Sequence, residues 1–560
     1  RDKSPALPAN PAPIPLVAPP RRAALHDTAL LAACIVIAGA WSISLGQDAN
    51  WDLQNYHFYN PWAWLAGRIF GPDLAAAQLQ TFHNPLLDLP FYAMAAGGWP
   101  PRAIAFVLAV PAGVAAFFLA LILRHLFADL SGVERRAAIG AAFAIGITGA
   151  MGRATLGTTM NEWPLAALVL GGLWLIVRAL VQRDDGRLPA GALLTAGALL
   201  GIATGAKLTA GTFAVGLALA LVLRGPWTRS ATLARVRETF MFGCAVLGGF
   251  ALAYGPWAVA LWIHYGSPIF PYGNEWIRSP WWVKTQVIGR RYGPFDVFAW
   301  LRFPFDLYSP KPFFVSEVEY RDVRMPLLYG TALVCGAVWL WVFIAQRGRL
   351  PAPEHRGVSR AWRFLVAFFI GSFLLWTAQH SNYRYLVTLD LLTGALLMTL
   401  LLRNLRPGHA PAVMIAVAAF VVVFTQAGSW GRVPFKDAWF DVRGPDLEPN
   451  SLVVFAVDAP MAHVVPFLKP TPARVVGIDN GIVNALHNTR LEDAVNAAIR
   501  AHDGPMYALT DAGRDGVAAL AARGLLKIAS TCAPVHTHLV AEPLTLCRVV
   551  RASDAMPPKR

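Results

Sequence analysis

The chain has 560 residues, of which 56% are hydrophobic and only 14% charged, with a formal net charge of +15. Its mean hydropathy is +0.46. Soluble domains carry about 25% charged residues, so this composition excludes an ordinary cytosolic enzyme and predicts a polytopic, mainly α-helical membrane protein. The arginines cluster between apolar runs and form no stripe on a soluble face, which removes the support for a nucleic-acid partner.

In chain order, the Pro- and Ala-rich stretch over residues 1–24 reads as a disordered cytoplasmic tail. The apolar run after it has no usual cleavage site and reads as an uncleaved first span. Apolar runs lie at 25–46, 102–124, 137–152, 162–181, 190–206, 208–223, 239–262, 326–346, 361–378, 385–402 and 409–428. Crossing a hydrocarbon core of about 30 Å takes about 20 apolar residues, so these runs predict about 11 spans, or 12–13 if shorter stretches also cross. Residues 85–98 are apolar but short and carry Asp88; they read either as a further short span or as a half-buried interfacial helix.

Arginines concentrate in alternate loops, among them Arg124, Arg135 and Arg136, then Arg224, Arg229, Arg235 and Arg237, then Arg403 and Arg406. By the positive-inside rule the N-terminus is cytoplasmic and the C-terminal region lies outside. The predicted organisation is a transmembrane module over 25–428, with outer loops at 47–101 and 263–324, followed by a soluble domain over 429–560. In the soluble part, β-type runs at 451–457, 473–479 and 506–510 alternate with a helical pattern at 491–502, which predicts an α/β domain. It has no GxGxxG and no Walker loop. Cys34, Cys244 and Cys335 fall within spans and read as core residues, whereas Cys532 and Cys547 lie in the external domain, where a disulfide is expected.

The groups with chemical potential gather in the outer loops. Asp48 and Asp52 sit just beyond the first span in a segment dense in Trp51, Tyr56, Phe58, Tyr59, Trp62 and Trp64; the aromatics read as an interfacial belt, but a belt does not account for the acids. The first loop continues through His57 to His83-Asn84-Pro85-Leu86. Beyond it, Asn161-Glu162 precedes one apolar run, Lys207 ends a Gly-rich one, and Arg384-Tyr385 opens another.

These elements together resemble the protein O-mannosyltransferase and lipid A aminoarabinose transferase superfamily of GT-C membrane glycosyltransferases. Asp52-x-x-x-Tyr56 resembles its first acidic motif, with Leu53 in place of a Glu, and His83-Asn84-Pro85-Leu86 resembles its His-Pro-Pro-Leu. MGRATLGTTMNEWPLAALVL resembles its second acidic motif, with Glu162 where Asp is usual. GALLGIATGAKLTAG resembles its Gly-rich segment with Lys207, and SNYRYLVTLDLL its Arg-Tyr-Leu element with Arg384 and Tyr385.

The resemblance implies transfer of a sugar from a polyprenyl-phosphate donor to a lipid, polysaccharide or protein acceptor at the outer (periplasmic) membrane face. It makes Asp52 the general base of an inverting displacement, assisted by Glu162. Asp48, Tyr56, His57, His83 and Tyr385 become candidate sugar or phosphate contacts, and Arg384, Lys207, Arg290 and Arg291 candidate phosphate ligands. The basic, aromatic second loop reads equally as a lid or as an interfacial segment on anionic lipid. No His/Cys metal cluster is visible, no cofactor is implied, and divalent-metal dependence stays open. A transporter or flippase of lipid-linked sugars is the main alternative; a polysaccharide ligase or polymerase of another helical fold is a third.

Overall fold

The computed structural model describes residues 21–183, 186–225, 227–284, 292–311, 313–346, 359–406, 408–511 and 513–555. Among them, helices occupy all the predicted runs: α1 (Arg21–Leu45), α2 (Pro101–Leu126), α3 (Gly132–Ile147), α4 (Glu162–Gln182), α5 (Ala190–Ala206), α6 (Gly211–Leu223), α7 (Arg229–Tyr265), α8 (Arg324–Ala345), α9 (Ser359–Gln379), α10 (Val387–Asn404) and α11 (Ala410–Phe424). Seven of these (α1, α2, α4, α7, α8, α9 and α10) are long and apolar enough to cross a membrane, and α5, α6 and α11 are shorter apolar helices. The expected architecture, a polytopic helical module with a C-terminal α/β domain, is the one found.

Three expectations change at the level of single elements. Helix α7 has 37 residues, about 55 Å at 1.5 Å per residue, so it starts ten residues before its apolar run. Helix α3 stops at Ile147 instead of continuing to 152. A short helix, Ala150–Ala154, restarts beyond it, because the Ala150 N–H donates to Asp322 Oδ2 at 3.0 Å and a Cβ on Gly149 would sit 2.2 Å from the Arg324 guanidinium. Within 85–98 only Leu89–Ala96 is helical, eight residues, about 12 Å long. That is too short to span a bilayer.

Helices α5 and α7 pack face to face through a small-residue stripe. A Cβ on Gly197, Gly201 or Gly205 would meet Phe242 O at 2.5 Å, Val246 O at 2.1 Å or Phe250 O at 2.9 Å. Without a hydrophobic drive between helices in lipid, such backbone approach is what supplies dispersion contact. It also fixes the end of α5, where Lys207 stands.

The soluble domain is one sheet of order β3-β8-β9-β6-β4-β5, with β7 paired to β9. Strands β4 (Leu452–Phe455), β5 (Arg474–Gly477) and β6 (Met506–Thr510) are parallel. Helix α12 (Arg490–Arg500) makes the β5-to-β6 crossover, its N-terminus capped by Thr489 Oγ1 accepting from the Glu492 N–H at 3.2 Å. Strands β7 (Leu525–Lys527), β8 (Ala533–Thr537) and β9 (Leu544–Arg551) follow, and Val442–Arg443 is β3. Cys532 and Cys547 are bonded, as expected.

This domain grips the loop that follows α1. Strand β1 (Gln47–Asp48) pairs antiparallel with β2 (Arg432–Val433). Leu74 joins the free edge of β5, its N–H donating to Val475 O and its carbonyl accepting from the Gly477 N–H, both at 2.9 Å. Asp73 completes the seam, accepting from the Val475 N–H at 2.9 Å, Tyr59 OH at 2.7 Å and the Arg68 guanidinium. The loop aromatics are therefore largely core. Phe58 packs on Phe440, with ring centroids 4.3 Å apart, and Tyr56 and Tyr59 are buried.

Gly201→Val is expected to force α5 off α7 and lower stability by about 1–3 kcal/mol, the usual cost of overpacking. A thermal unfolding shift in detergent, absent for Gly243→Val on the open face of α7, checks it.

Candidate active site

The chain turns sharply after α1. Residues Leu53–His57 form a π-helical turn, entered at Asp52. Its i→i+5 bonding is a rare geometry, often found at functional sites, and His57 at its end feels the charge of Asp52 at its start.

Across from this turn stands Arg384, in the short 3-10 turn Tyr383–Leu386 ahead of α10, only 8% exposed. Its Nη1 donates to Asp52 Oδ2 at 3.0 Å and lies 3.4 Å from Met160 Sδ. Its Nε lies 3.4 Å from Glu162 Oε1 without a hydrogen bond. Glu162, the first residue of α4, accepts from Lys207 Nζ at 2.7 Å. Lys207 and Arg384 both face the Tyr385 ring, at 4.9 and 5.5 Å, and Trp430 covers the guanidinium at 5.6 Å. Two carboxylates and two cations from four remote segments thus meet in one buried cluster.

A second charged cluster lies beside it. Arg324, fully buried, binds Asp322 through Nε at 2.9 Å and Asp390 Oδ2 through Nη2 at 2.9 Å. Tyr383 OH lies 3.3 Å from Asp390 Oδ1, and the Tyr383 ring stacks on Tyr320 at 4.9 Å. The residue before Arg384 is thereby locked. From the other side Asn382 Oδ1 accepts the Arg384 N–H at 3.1 Å, while Asn382 Nδ2 donates to Glu317.

Burial alone would raise the pKa of Asp52, but Arg384, His57, Lys207 and His83 together outweigh it and hold the carboxyl below its ordinary 3.8. The contribution of this charge to stability is therefore complete above 3.8 and is lost only as pH falls through the lower folded value. His83 is the reverse case. Burial pulls it down to about 4, so it is neutral at pH 7, with Nε2 2.7 Å from Tyr272 OH. Tyr56 is pushed up by burial and by Asp52 and Asp88.

Of the residues singled out in the sequence, Asp52, Glu162, Lys207, Arg384 and Tyr385 converge, with Tyr56, His57 and His83 within their electrostatic reach. Asp48 faces elsewhere. It is fully buried, and its two oxygens accept from Asn50 N and Nδ2 and from Thr159 N and Oγ1 at 2.7–3.1 Å. With every lone pair used, it holds the loop to the 151–161 turn and has nothing left for a sugar. Arg290 and Arg291 lie outside the described residues. Sequence reading passed over Asp88, Tyr272, Glu317 and Trp430. The one available signal was Asp88, a carboxylate in an apolar stretch.

Among the described residues no group of three or more His, Cys, Asp or Glu side chains is arranged to hold a metal ion. The space beside Glu162, Thr209, Phe213, Tyr385 and Thr388 is about 10 Å³, close to what a single water needs. A larger cavity of about 700 Å³ opens in the soluble domain at the carboxyl ends of β4, β5 and β6, and shares no residue with this cluster.

No protein-family model matches the chain, and no curated protein matches it. Among solved structures it is similar to ArnT from Cupriavidus metallidurans bound to undecaprenyl phosphate, at 13% identity and a TM-score of 0.46 over 95% of this chain and 100% of that one. It is also similar to the Archaeoglobus fulgidus oligosaccharyltransferase tethered with an acceptor peptide, at 13% identity and a TM-score of 0.43 over 86% of this chain and 69% of that one. The archaeal oligosaccharyltransferase AglB in complex with an inhibitory peptide and a dolichol-phosphate gives 12% identity and a TM-score of 0.41, over 86% and 69%.

Arg384→Met would leave Asp52, whose side chain is 15% exposed, facing a neutral side chain. Breaking a buried pair in this way costs about 3–5 kcal/mol, and the expected result is a lower unfolding midpoint, largely restored in Arg384→Met/Asp52→Asn. Equal midpoints for the single variant and wild type would show that the pair contributes nothing.

Proposed function

We propose that the chain is a membrane glycosyltransferase that moves a sugar from a polyprenyl-phosphate donor to a lipid, polysaccharide or protein acceptor at the outer face of the membrane. The observation that carries this reading is the buried meeting of Asp52, Glu162, Lys207 and Arg384 at one end of the helical module. A transporter reading calls for ionisable groups at mid-depth and broken helices in paired positions. The cluster instead forms where the first outer loop, the start of α4, the end of α5 and the start of α10 come together.

The chemistry asks for little beyond orientation and charge. The acceptor's oxygen attacks the anomeric carbon from the face opposite the phosphate. Its proton goes to a carboxylate, and the C–O bond to phosphate breaks with its electron pair left on the phosphate oxygen. Asp52 is the carboxylate for the proton, and inversion at the anomeric carbon follows from a single displacement. Among the described residues Arg384 Nε has no hydrogen-bond partner, its nearest acid being Glu162 Oε1 at 3.4 Å, and Lys207 has donors beyond the one given to Glu162, so both can serve the phosphate while staying near their acids. The tight space around Glu162 means that the aromatic cover, Tyr385 and Trp430 included, moves for the donor to enter. The exposed apolar face of the Val297–Asp306 helix, with Val297, Phe298 and Leu301 outward, supports an interfacial setting for the second loop.

Asp52→Asn removes the base while keeping the shape. With undecaprenyl-phosphate hexose as donor and release of undecaprenyl phosphate as the readout, the expected loss in kcat is about 100- to 10,000-fold, in a protein that still folds but with a lower unfolding midpoint, because Arg384 loses its carboxylate partner. A folded Asp52→Asn protein with full activity would remove Asp52 from this role.

A further inference from the structure

Asp88 sits just before the short helix Leu89–Ala96 and is 3% exposed. Its Oδ1 lies 2.7 Å from His57 Nδ1 and accepts from Asn161 Nδ2 at 3.1 Å. A carboxylate on Nδ1 sets the tautomer and orientation of an imidazole, leaving Nε2 as the nitrogen free to take a proton. That nitrogen is buried, in a side chain 1% exposed, and has no hydrogen-bond partner among the described residues. A buried imidazole nitrogen kept unpaired, in a ring oriented by a buried acid, is built for a proton or a ligand.

His57 follows five residues after Asp52 through the π-turn, within reach of its charge, and the two need each other. The Asp52 carboxyl, held below its ordinary range mainly by Arg384, receives a proton in the transition state but cannot keep it at neutral pH. For His57, burial works downward, but Asp88, by charge and by its hydrogen bond, and Asp52, by charge, outweigh it and raise the ring above its ordinary 6.5. The charged and titratable groups facing His57 are Asp88, Asp52 and Tyr56 on its own turn, the Tyr56 ring centroid 4.1 Å from that of His57, Lys207 at the end of α5, which lowers it, and His83 from the first loop.

We infer that the Asp88–His57 pair is the proton sink of the site. The acceptor's proton passes to Asp52 as the acceptor oxygen bonds the anomeric carbon, then from Asp52 to His57 Nε2, which restores the carboxylate. The electron pair of the broken bond stays on the phosphate oxygen, and His57 releases its proton to water or to that phosphate as the products leave. This rests on the transferase reading above.

The test is a pH profile of kcat with undecaprenyl-phosphate hexose, beside a pH series of unfolding midpoints that needs no substrate. Wild-type kcat is expected to rise with pH as His57 loses its proton. His57→Gln should lower it about 100-fold and flatten the rise, and Asp88→Asn should move the rise to lower pH. In the melts, a raised histidine stabilises fully below 6.5, and this stabilisation fades as pH climbs through the folded value; that slope should be present in wild type and absent in both variants. A rate loss in His57→Gln with the rise unmoved, or melts with the same pH slope in all three proteins, overturns the inference. Melts that behave as expected in a protein that never cleaves the donor would support the pair and remove the transferase reading instead. If His57→Gln does not fold, the isosteric Asp88→Asn decides on both measurements.

Discussion

A guanidinium taken out of water has to be answered by charge, and the arrangement around Arg384 is set by that requirement. Its partner Asp52 lies 332 positions away, and Glu162 and Lys207 come from two further segments, so the cluster forms only if the first outer loop, α4, α5 and α10 reach their places together. Asp52 and Glu162 balance Arg384 and Lys207. In the proposed reaction, donor phosphate would add a negative charge to this balance and a proton on His57 a positive one. The network at Arg324, Asp322 and Asp390 repeats the device one step away. Its contact with Tyr383 means that Arg384 is fixed through its backbone as well as through its own side chain.

The soluble domain belongs to this construction. Its sheet accepts Leu74 at the β5 edge, β2 accepts β1, and His463 Nδ1 lies 2.8 Å from the carbonyl of Gln54 within the π-turn itself. Burial pulls His463 down to about 4, so at neutral pH the contact is an uncharged one. A loop carrying Asp52, His57, His83 and Asp88 would otherwise have long irregular stretches with unsatisfied backbone; strand pairing supplies the missing partners.

How much of this was legible beforehand follows from the range of each interaction. Hydrophobic spans are local, and α1 to α11 fall on the runs that hydropathy picks out. The parallel strands and α12 likewise fall close to their periodic patterns. The departures are tertiary: α3 ends early because Asp322 and Arg324 compete for its last turn. Asp48 and Asp52 look alike in sequence, and only the fold gives one to Asn50 and Thr159 and the other to Arg384. The motif resemblance brought Asp52, Glu162, Lys207 and Arg384 to notice, but not their contacts. Asp88 was hidden by its setting, since an acid in an apolar stretch reads as an argument about topology, and the π-turn over Leu53–His57 has no pattern of its own.

Because β2 and β5 hold the loop that follows α1, that loop depends during synthesis on segments far downstream. Asp52 is synthesised close to four hundred residues before Val433 and Val475, and until that later portion has folded, β1 and Leu74 have no sheet to join. The nascent protein would then have made every helix from α1 to α11 before the sheet that holds the Asp52 loop exists.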